Sequence, residues 1–333
     1  MLQSENKIRI GFVGAGLWGR IKHLPSLRMI AENKVEGFEP VMAHLIEADP
    51  EHRKKVQEEW GFLRASDSVD ALVADTELDA FVVAINPARL EQVLPLLAAT
   101  GKPIFCEKPP GNSSEDAEGF AQRITQSNLV AFNRRFHPLV QRLHAELQDA
   151  EVHCFQAQML RHGRLDSFKS RENPMEPPFF KVTGIHLINT LHFLFGDVSL
   201  VDVRQLETRP GVTDGRMTLM RTVKGEVQGQ VAFLPTCGRN EEMIEVHTPE
   251  KSFRLRIQLD HEPSVLEIFQ QGKRVETIKD DPDRSDLWNH GYVFEHLAFL
   301  KSVREEVPTI SNFQNAVHSL KVAEALEAGI PCV

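Results

Sequence analysis

The sequence of 333 residues lacks a long apolar run, an internal repeat and a low-complexity tract. A membrane-spanning helix needs about 20 consecutive apolar residues, so no membrane span is expected. The first predicted strand begins at Lys7, which leaves no room before it for a signal peptide. These absences predict a cytoplasmic protein without a membrane partner.

Cysteine is also scarce, and acidic residues outnumber basic ones by 47 to 38. The formal net charge is −9, so the chain has no long-range attraction for phosphate backbones, and we expect no nucleic-acid partner. The cysteines form no CxxC pair, which indicates reduced thiols and gives no support for a structural zinc site or any other metal site. The four of them are Cys106, Cys154, Cys237 and Cys332.

Two halves with different patterns make up the chain. Single hydrophobic cores stop growing at roughly 250–300 residues, so a chain of 333 residues is expected to form two domains. In the first half, strand and helix patterns alternate, and Ala80–Ile85 is a continuous apolar run, typical of a strand buried on both faces. Residues 1–132 are therefore predicted to form a Rossmann domain with a doubly wound parallel sheet that binds a dinucleotide.

From residue 133 onwards the predicted strands mostly follow one another. They occupy Glu151–Gln270 and are interrupted by a helix over Val182–Phe195 and a loop over Arg164–Phe180. This pattern predicts an α+β domain over residues 133–333 with a largely antiparallel open sheet.

The end of the chain has helical patterns. We predict helices over Trp288–Glu305 and Asn312–Ala328. Ser311 and Gln314 stand at capping-box spacing before the second of them, so Ser311 is the predicted N-cap.

A glycine-rich turn follows the first strand. Gly14, Gly16 and Gly19 form G-x-G-x-x-G around Leu17 and Trp18, between a strand and a helix. The first glycine permits a tight turn, the second lets a pyrophosphate approach the backbone, and the third allows close packing of helix and strand. We predict a dinucleotide site here, with Leu17 and Trp18 beside it.

Acidic residues follow the second predicted strand. Glu47 stands at its end and Asp49 two residues later, where a carboxylate binds the adenosine ribose and repels a 2′-phosphate. Glu47 is the stronger candidate, because Asp49 is more easily explained as a solvated loop acid. The cofactor is therefore predicted to be NAD, with NADP kept open by the nearby Arg53.

Three further segments resemble one enzyme family. GKPIFCEKP (residues 101–109), VAFNRRFHP (130–138) and GIHLINTLHFLFG (184–196) resemble motifs of the Gfo/Idh/MocA oxidoreductases, named after glucose–fructose oxidoreductase, inositol dehydrogenase and rhizopine catabolism. The resemblance covers the N-terminal domain and the first third of the second domain. It implies an NAD(P)-dependent dehydrogenase or reductase.

The resemblance also implies roles for single residues. Lys108 corresponds to the family's catalytic lysine and His186 to its catalytic histidine, while Glu107 and Asn86 are placed at the cofactor. A lysine near a nicotinamide cation loses proton affinity, so Lys108 can act as a general acid or base. Relatives have a cis bond at the position of Lys108–Pro109, and we predict one here.

The chain departs from the family pattern at Val182. Many members have an aspartate there, one helical turn before the histidine, and valine can neither orient His186 nor share its proton. Asn189 can still hydrogen-bond and is a substrate-binding candidate. Arg134 and Arg135 are also candidates: one is expected to bind a substrate carboxylate or phosphate, and the other to lie at the surface or domain interface.

Three functions fit these patterns. The leading one is hydride transfer between a nicotinamide and a sugar, cyclitol or related polar hydroxy or carbonyl compound. The alternatives are a non-redox glycosidase that uses tightly held NAD, and an inactive NAD-binding sensor, which Val182 motivates. A homo-oligomer is expected through the open sheet of the second domain.

Overall fold

The computed structural model describes residues 6–162, 179–209, 212–223, 227–235, 237–260 and 262–332. Most of the predicted loop Arg164–Phe180 therefore lies outside the described residues. The chain forms two compact units. Unit 1 comprises Met1–Asn133 and His290–Val317, and unit 2 comprises Arg134–Asn289 and His318–Val333.

Unit 1 contains a six-stranded parallel sheet in the order β3-β2-β1-β4-β5-β6. Its strands are β1 (Lys7–Val13), β2 (Glu39–Ile46), β3 (Arg64–Ser66), β4 (Ala80–Val83), β5 (Ile104–Cys106) and β6 (Asn128–Val130). Every residue of β4 and β5 is buried, as expected for strands covered on both faces. The order reverses between β1 and β4, so the predicted doubly wound sheet is confirmed.

Helices connect these strands. They are α1 (Leu24–Asn33), preceded by a π-helical segment (Gly19–His23), α2 (Pro50–Trp60), α3 (Asp70–Val73), α4 (Leu90–Ala98) and α5 (Ser114–Arg123). Ser113 and Asp116 form a capping box that starts α5. The later helix α9 (Tyr292–Glu305) also belongs to unit 1, a return of the chain that no sequence pattern indicated.

Unit 2 contains an eight-stranded sheet in the order β14-β13-β12-β11-β7-β10-β9-β8. The strands are β7 (Cys154–Leu160), β8 (Val198–Arg209), β9 (Val212–Thr222), β10 (Gln228–Leu234), β11 (Glu241–His247), β12 (Lys251–Gln258), β13 (Val265–Gln270) and β14 (Lys273–Lys279). Of the described pairings in this sheet, β7 with β10 is parallel and the others are antiparallel. The predicted, largely antiparallel sheet is confirmed.

One face of this sheet forms the core of unit 2. Along β7 and β10 buried and exposed residues alternate, and Phe155, Phe233 and Leu191 lie in the same apolar cluster. The helices of this part of the chain are α6 (Pro138–Leu147), α7 (Ile185–Phe195), preceded by a π-helical segment (Phe180–Gly184), the short α8 (Asp286–Asn289) and α10 (Phe313–Ala328). Across the described ranges, no helix combines the length and apolar character that a membrane crossing requires.

The predicted N-cap of α10 is wrong by one residue. The Asn312 side chain accepts a hydrogen bond from the Asn315 amide at 2.9 Å, and the Asn312 amide donates to the Asn315 side chain at 3.3 Å. Ser311 instead donates its hydroxyl to the Val130 carbonyl at 2.7 Å. The pairing with β6 decides which residue caps the helix.

Candidate functional site

The three glycines of the loop after β1 are each required for a different reason. Gly14 has φ +81°, and a Cβ atom there would lie 2.4 Å from Ile85 and 2.9 Å from the Ala84 carbonyl oxygen. At Gly19 a Cβ atom would lie 3.2 Å from the Gly14 carbonyl oxygen, so this glycine permits close packing of helix and loop. A Cβ at Gly16 would meet nothing within 4 Å, so its open backbone face can receive a phosphate group.

The Glu47 carboxylate lies beside this loop. It accepts hydrogen bonds from the Ala15 amide at 3.2 Å and from the Asp49 amide at 3.3 Å. Asp49 caps α2 by accepting from the His52 amide at 2.7 Å, and its side chain is occupied there. The His52 ring in turn hydrogen-bonds the Ala15 carbonyl at 2.9 Å, a contact that sequence reasoning missed. Glu47 is therefore the carboxylate that the structure places at the glycine loop.

The other predicted cofactor residues of this region flank the loop. Leu17 and Trp18 are 59% and 50% exposed, so both side chains are accessible beside the glycine loop. Asn86 follows β4 and caps a single 3₁₀ turn, its side chain accepting from the Ala88 amide at 2.9 Å. All three stand near the carboxyl ends of β1 and β4, where ligands bind in open α/β sheets.

Glu107 and Lys108 follow β5 at the same edge of the sheet. The Lys108–Pro109 peptide bond is cis, so that prediction is confirmed. The Glu107 carboxylate lies 3.0 Å from Nε2 of His23, and Nδ1 of His23 lies 3.0 Å from Nε2 of His296. Both histidines are completely buried, and sequence reasoning singled out neither of them. His296 stands on α9, far along the chain, so only the fold could reveal the contact.

In unit 2, α7 carries His186 and Asn189. His186 is half-buried near the start of the helix. Asn189 is buried, accepts a hydrogen bond from Nε of Arg135 at 2.6 Å and donates one to Ser319 at 3.0 Å. Burial lowers the pKa of Arg135 to about 10, although the negative charge of Asp197 acts to raise it. The guanidinium therefore stays protonated at neutral pH.

A buried ionic cluster lies in the same unit. Glu242 of β11 accepts from Arg134 at 3.0 and 3.3 Å and also from Arg161. Burial alone would raise the pKa of Glu242, but the charges of both arginines outweigh it, with a smaller contribution from His186, and hold this pKa well below its usual range. Glu242 is therefore ionised, and no sequence pattern had indicated it.

Of the two alternatives for the second arginine, the structure excludes a surface position. Arg134 and Arg135 belong to a 3₁₀ turn (Asn133–Phe136), and both are buried. Neither is a surface residue, because each has an internal polar partner on a different element.

The predicted site residues thus form two groups. Unit 1 brings Gly14, Gly16, Leu17, Trp18, Gly19, Glu47, Asn86, Glu107 and Lys108 to the carboxyl edge of its parallel sheet. Unit 2 holds Arg134, Arg135, His186 and Asn189. The π-helical segment before α7 carries Val182, so no carboxylate stands one turn before His186.

The fold and the glycine loop define an NAD-binding Rossmann protein, and comparisons with known proteins agree. Residues 8–134 match the model described as "Oxidoreductase family, NAD-binding Rossmann fold", and residues 165–328 match the C-terminal alpha/beta domain of the same family. The chain belongs to the Gfo/Idh/MocA oxidoreductase family.

Individual relatives are similar at a lower level. Inositol 2-dehydrogenase of Acidothermus cellulolyticus is 28% identical over 240 residues, which cover 66% of this chain and 64% of that protein. Levoglucosan dehydrogenase of Pseudarthrobacter phenanthrenivorans is 24% identical, over 74% of this chain and 72% of that protein. For the first of these relatives, the match therefore spans just under two thirds of its length.

Solved structures share the whole fold. A levoglucosan dehydrogenase in complex with NADH and L-sorbose superposes with a TM-score of 0.83 at 18% identity, over 97% of this chain and 96% of that one. At this identity the likeness establishes the architecture of both units and no more.

Proposed function

We propose that the chain is an NAD-dependent dehydrogenase that interconverts a hydroxyl and a carbonyl group on a sugar, cyclitol or related polar compound. The observation that carries this proposal is the Glu47 carboxylate, hydrogen-bonded at the glycine loop where an adenosine ribose would bind. The names of the relatives, which act on inositol and levoglucosan, support the substrate class.

The position of Glu47 favours NAD over NADP, because a carboxylate repels a 2′-phosphate. Arg53 is the cation nearest in sequence that could reverse this preference. Its guanidinium donates to the Glu47 carbonyl at 2.8 Å and lies 3.8 Å from Asp67, so it is already engaged. Glu47→Ala should therefore weaken NADH binding more than NADPH binding, in a fluorescence titration of both nucleotides. The opposite order would refute the role of Glu47.

Catalysis is assigned to Lys108 and His186. Bound NAD supplies the hydride acceptor. With the cofactor bound, Lys108 would take the proton of the substrate hydroxyl, and His186 is the proposed histidine that would hydrogen-bond and orient the substrate. Arg134, Arg135 and Asn189 complete the substrate side of this proposal; their internal partners give each a fixed position.

The test is a substrate screen with purified protein, following nicotinamide absorbance over a panel of sugars and cyclitols. Lys108→Met should reduce turnover by about 10²–10⁴ while leaving NADH affinity unchanged. Full turnover in Lys108→Met would overturn the assignment. NADH binding without turnover on any substrate would favour the sensor that Val182 motivates. Product release from aryl glycosides without net NADH change would favour the glycosidase.

A homo-oligomer and a cytoplasmic location are part of the same proposal. The sheet face opposite the unit 2 core carries Gln156, Gln230 and Met217, the last of them 45% exposed, and this face is available to a second copy. All four cysteines are free thiols, which suits a reducing compartment. Met217→Glu should lower the mass measured by light scattering, whereas Leu63→Glu, at a site in unit 1 that is 66% exposed, should not.

A further inference from the structure

Three ionisable side chains from distant parts of unit 1 form one hydrogen-bonded line. Glu107 follows β5, His23 ends the π-helical segment before α1, and His296 lies on α9. The two links, Glu107 to His23 and His23 to His296, are each 3.0 Å long. Both imidazoles are inaccessible to solvent, whereas the Glu107 side chain remains 14% exposed. The line therefore leads from the protein interior to the carboxyl edge of the sheet.

The protonation of this line follows from what each atom can do. An ionised carboxylate only accepts hydrogen bonds, so Nε2 of His23 must carry a proton and donate it to Glu107. Burial keeps the pKa of His296 well below its usual value, so His296 is neutral. A neutral His296 has one N–H group, and its Nδ1 has no hydrogen-bond partner among the described residues. We therefore place that proton on Nε2, which donates to Nδ1 of His23. His296 thereby fixes the tautomer in which His23 faces Glu107 with a donor.

A shared proton explains this geometry better than a shared metal ion. Glu295 brings a carboxylate oxygen within 4.8 Å of one ring nitrogen of His23 and one of His296, which gives the composition of a metal site. Two nitrogens bound to one tetrahedral zinc at about 2.0–2.1 Å would stand about 3.4 Å apart. The observed 3.0 Å between Nδ1 of His23 and Nε2 of His296 is a hydrogen-bond distance. The His296 ring also stacks on Phe105 of β5, with centroids 4.5 Å apart, which holds it in this orientation.

We propose that His23 is a positioning residue that holds the Glu107 carboxylate for the nicotinamide half of the cofactor, with His296 fixing its tautomer. The proposal rests on the proposed function, because it assigns Glu107 to the bound nucleotide. A carboxylate fixed beside Lys108 accepts hydrogen bonds from the hydroxyl and amide groups of a nicotinamide nucleoside. Without His23 the glutamate would keep its charge but lose its fixed orientation.

The test compares NADH with ADP, which has the adenosine and pyrophosphate but neither the nicotinamide nor its ribose. His23→Leu should weaken NADH binding by about 10- to 100-fold, the loss expected for a hydrogen bond to a charged group. It should leave ADP binding unchanged in calorimetry. His23→Gln, whose amide nitrogen can take the place of Nε2, should restore most of the NADH affinity. His296→Phe, which keeps the stack on Phe105, should show a smaller loss in the same direction.

A double substitution tests whether His23 acts through Glu107. In a Glu107→Ala background, His23→Leu should cause no further loss of NADH affinity, because the carboxylate that it positions is gone. Equal weakening of NADH and ADP by both His23 variants would overturn the proposal, since that result indicates general damage to the unit. Unchanged NADH affinity in His23→Leu would also overturn it. Failure of the wild-type protein to bind either nucleotide would instead refute the proposed function.

Discussion

The buried carboxylate of Glu242 should contribute far more to stability than any surface acid of the same strand. Its side chain is 1% exposed and is hydrogen-bonded by Arg134 and Arg161, which are themselves buried. Glu242→Gln leaves these guanidiniums buried without a counter-charge, and breaking such a cluster costs about 3–5 kcal/mol. At roughly 2–4 °C per kcal/mol for a domain of 150–250 residues, the melting temperature should fall by about 6–20 °C.

The matched control lies on the same strand. Glu245 pairs with Arg254 at 2.6 Å, but that arginine is 44% exposed, so Glu245→Gln should cost no more than about 1 kcal/mol. Scanning calorimetry at neutral pH measures both variants. A melting temperature of Glu242→Gln no lower than that of Glu245→Gln would refute the reasoning, because it would mean that the cluster is not desolvated.

The pH dependence provides a second check on the same prediction. Because the pKa of Glu242 is held below its usual range in the folded chain, its contribution is fully present above the carboxyl pKa of the unfolded chain. That contribution is lost as the pH falls through the folded value. The difference in stability between wild type and Glu242→Gln should therefore stay constant from pH 8 to about pH 5 and shrink below about pH 4.

Three further predictions concern unit 1. Gly16→Val should leave the melting temperature unchanged, because the added side chain points into open space. It should raise the Kd for NADH more than about tenfold, because the side chain blocks the pyrophosphate position. Undiminished NADH binding in a fluorescence titration would contradict this prediction. Burial opposes ionisation of Asp75, but its hydrogen bond to His44, with further contacts, holds its pKa below the usual value. Asp75→Asn should therefore lower the free energy of unfolding by about 1–3 kcal/mol at neutral pH and progressively less in acid. A loss of stability in urea unfolding that grows as the pH falls would contradict this prediction. Burial raises the pKa of the Cys106 thiol, whereas Cys154 is exposed. A thiol reagent should therefore label Cys154 well before Cys106 in a time course followed by mass spectrometry. The reverse order of labelling would count against the burial of β5.

Several parts of the fold were predictable because their signals are local. The apolar runs of β4 and β5, and the glycine loop between a strand and a helix, each fit within a few residues. The helix α6 had such a signal too, with Pro138 at its first position and apolar residues at helical spacing, although it was not predicted. The strand β14 had none: nearly all its side chains are exposed at the sheet edge, so no alternation marks it.

The polar networks were not predictable, since their members are far apart in the sequence. Glu242 stands 108 residues from Arg134, and His296 stands 273 residues from His23. A lone glutamate in a strand or a lone histidine in a helix has the same local pattern whether it is solvated or buried. Only the packing of the surrounding elements decides which groups meet, and with what charge.

The sequence by itself determined the Rossmann sheet, the glycine loop, the acid after β2 and the lysine after β5, because each depends on backbone geometry and side-chain periodicity within one strand and its following turn. The tertiary structure alone decided that Ser311 pairs with β6 instead of capping α10, and that His23 and His296 lie behind Glu107. These outcomes depend on long-range contacts in which burial removes water and forces each polar group to find a partner, and no local pattern encodes the choice of that partner.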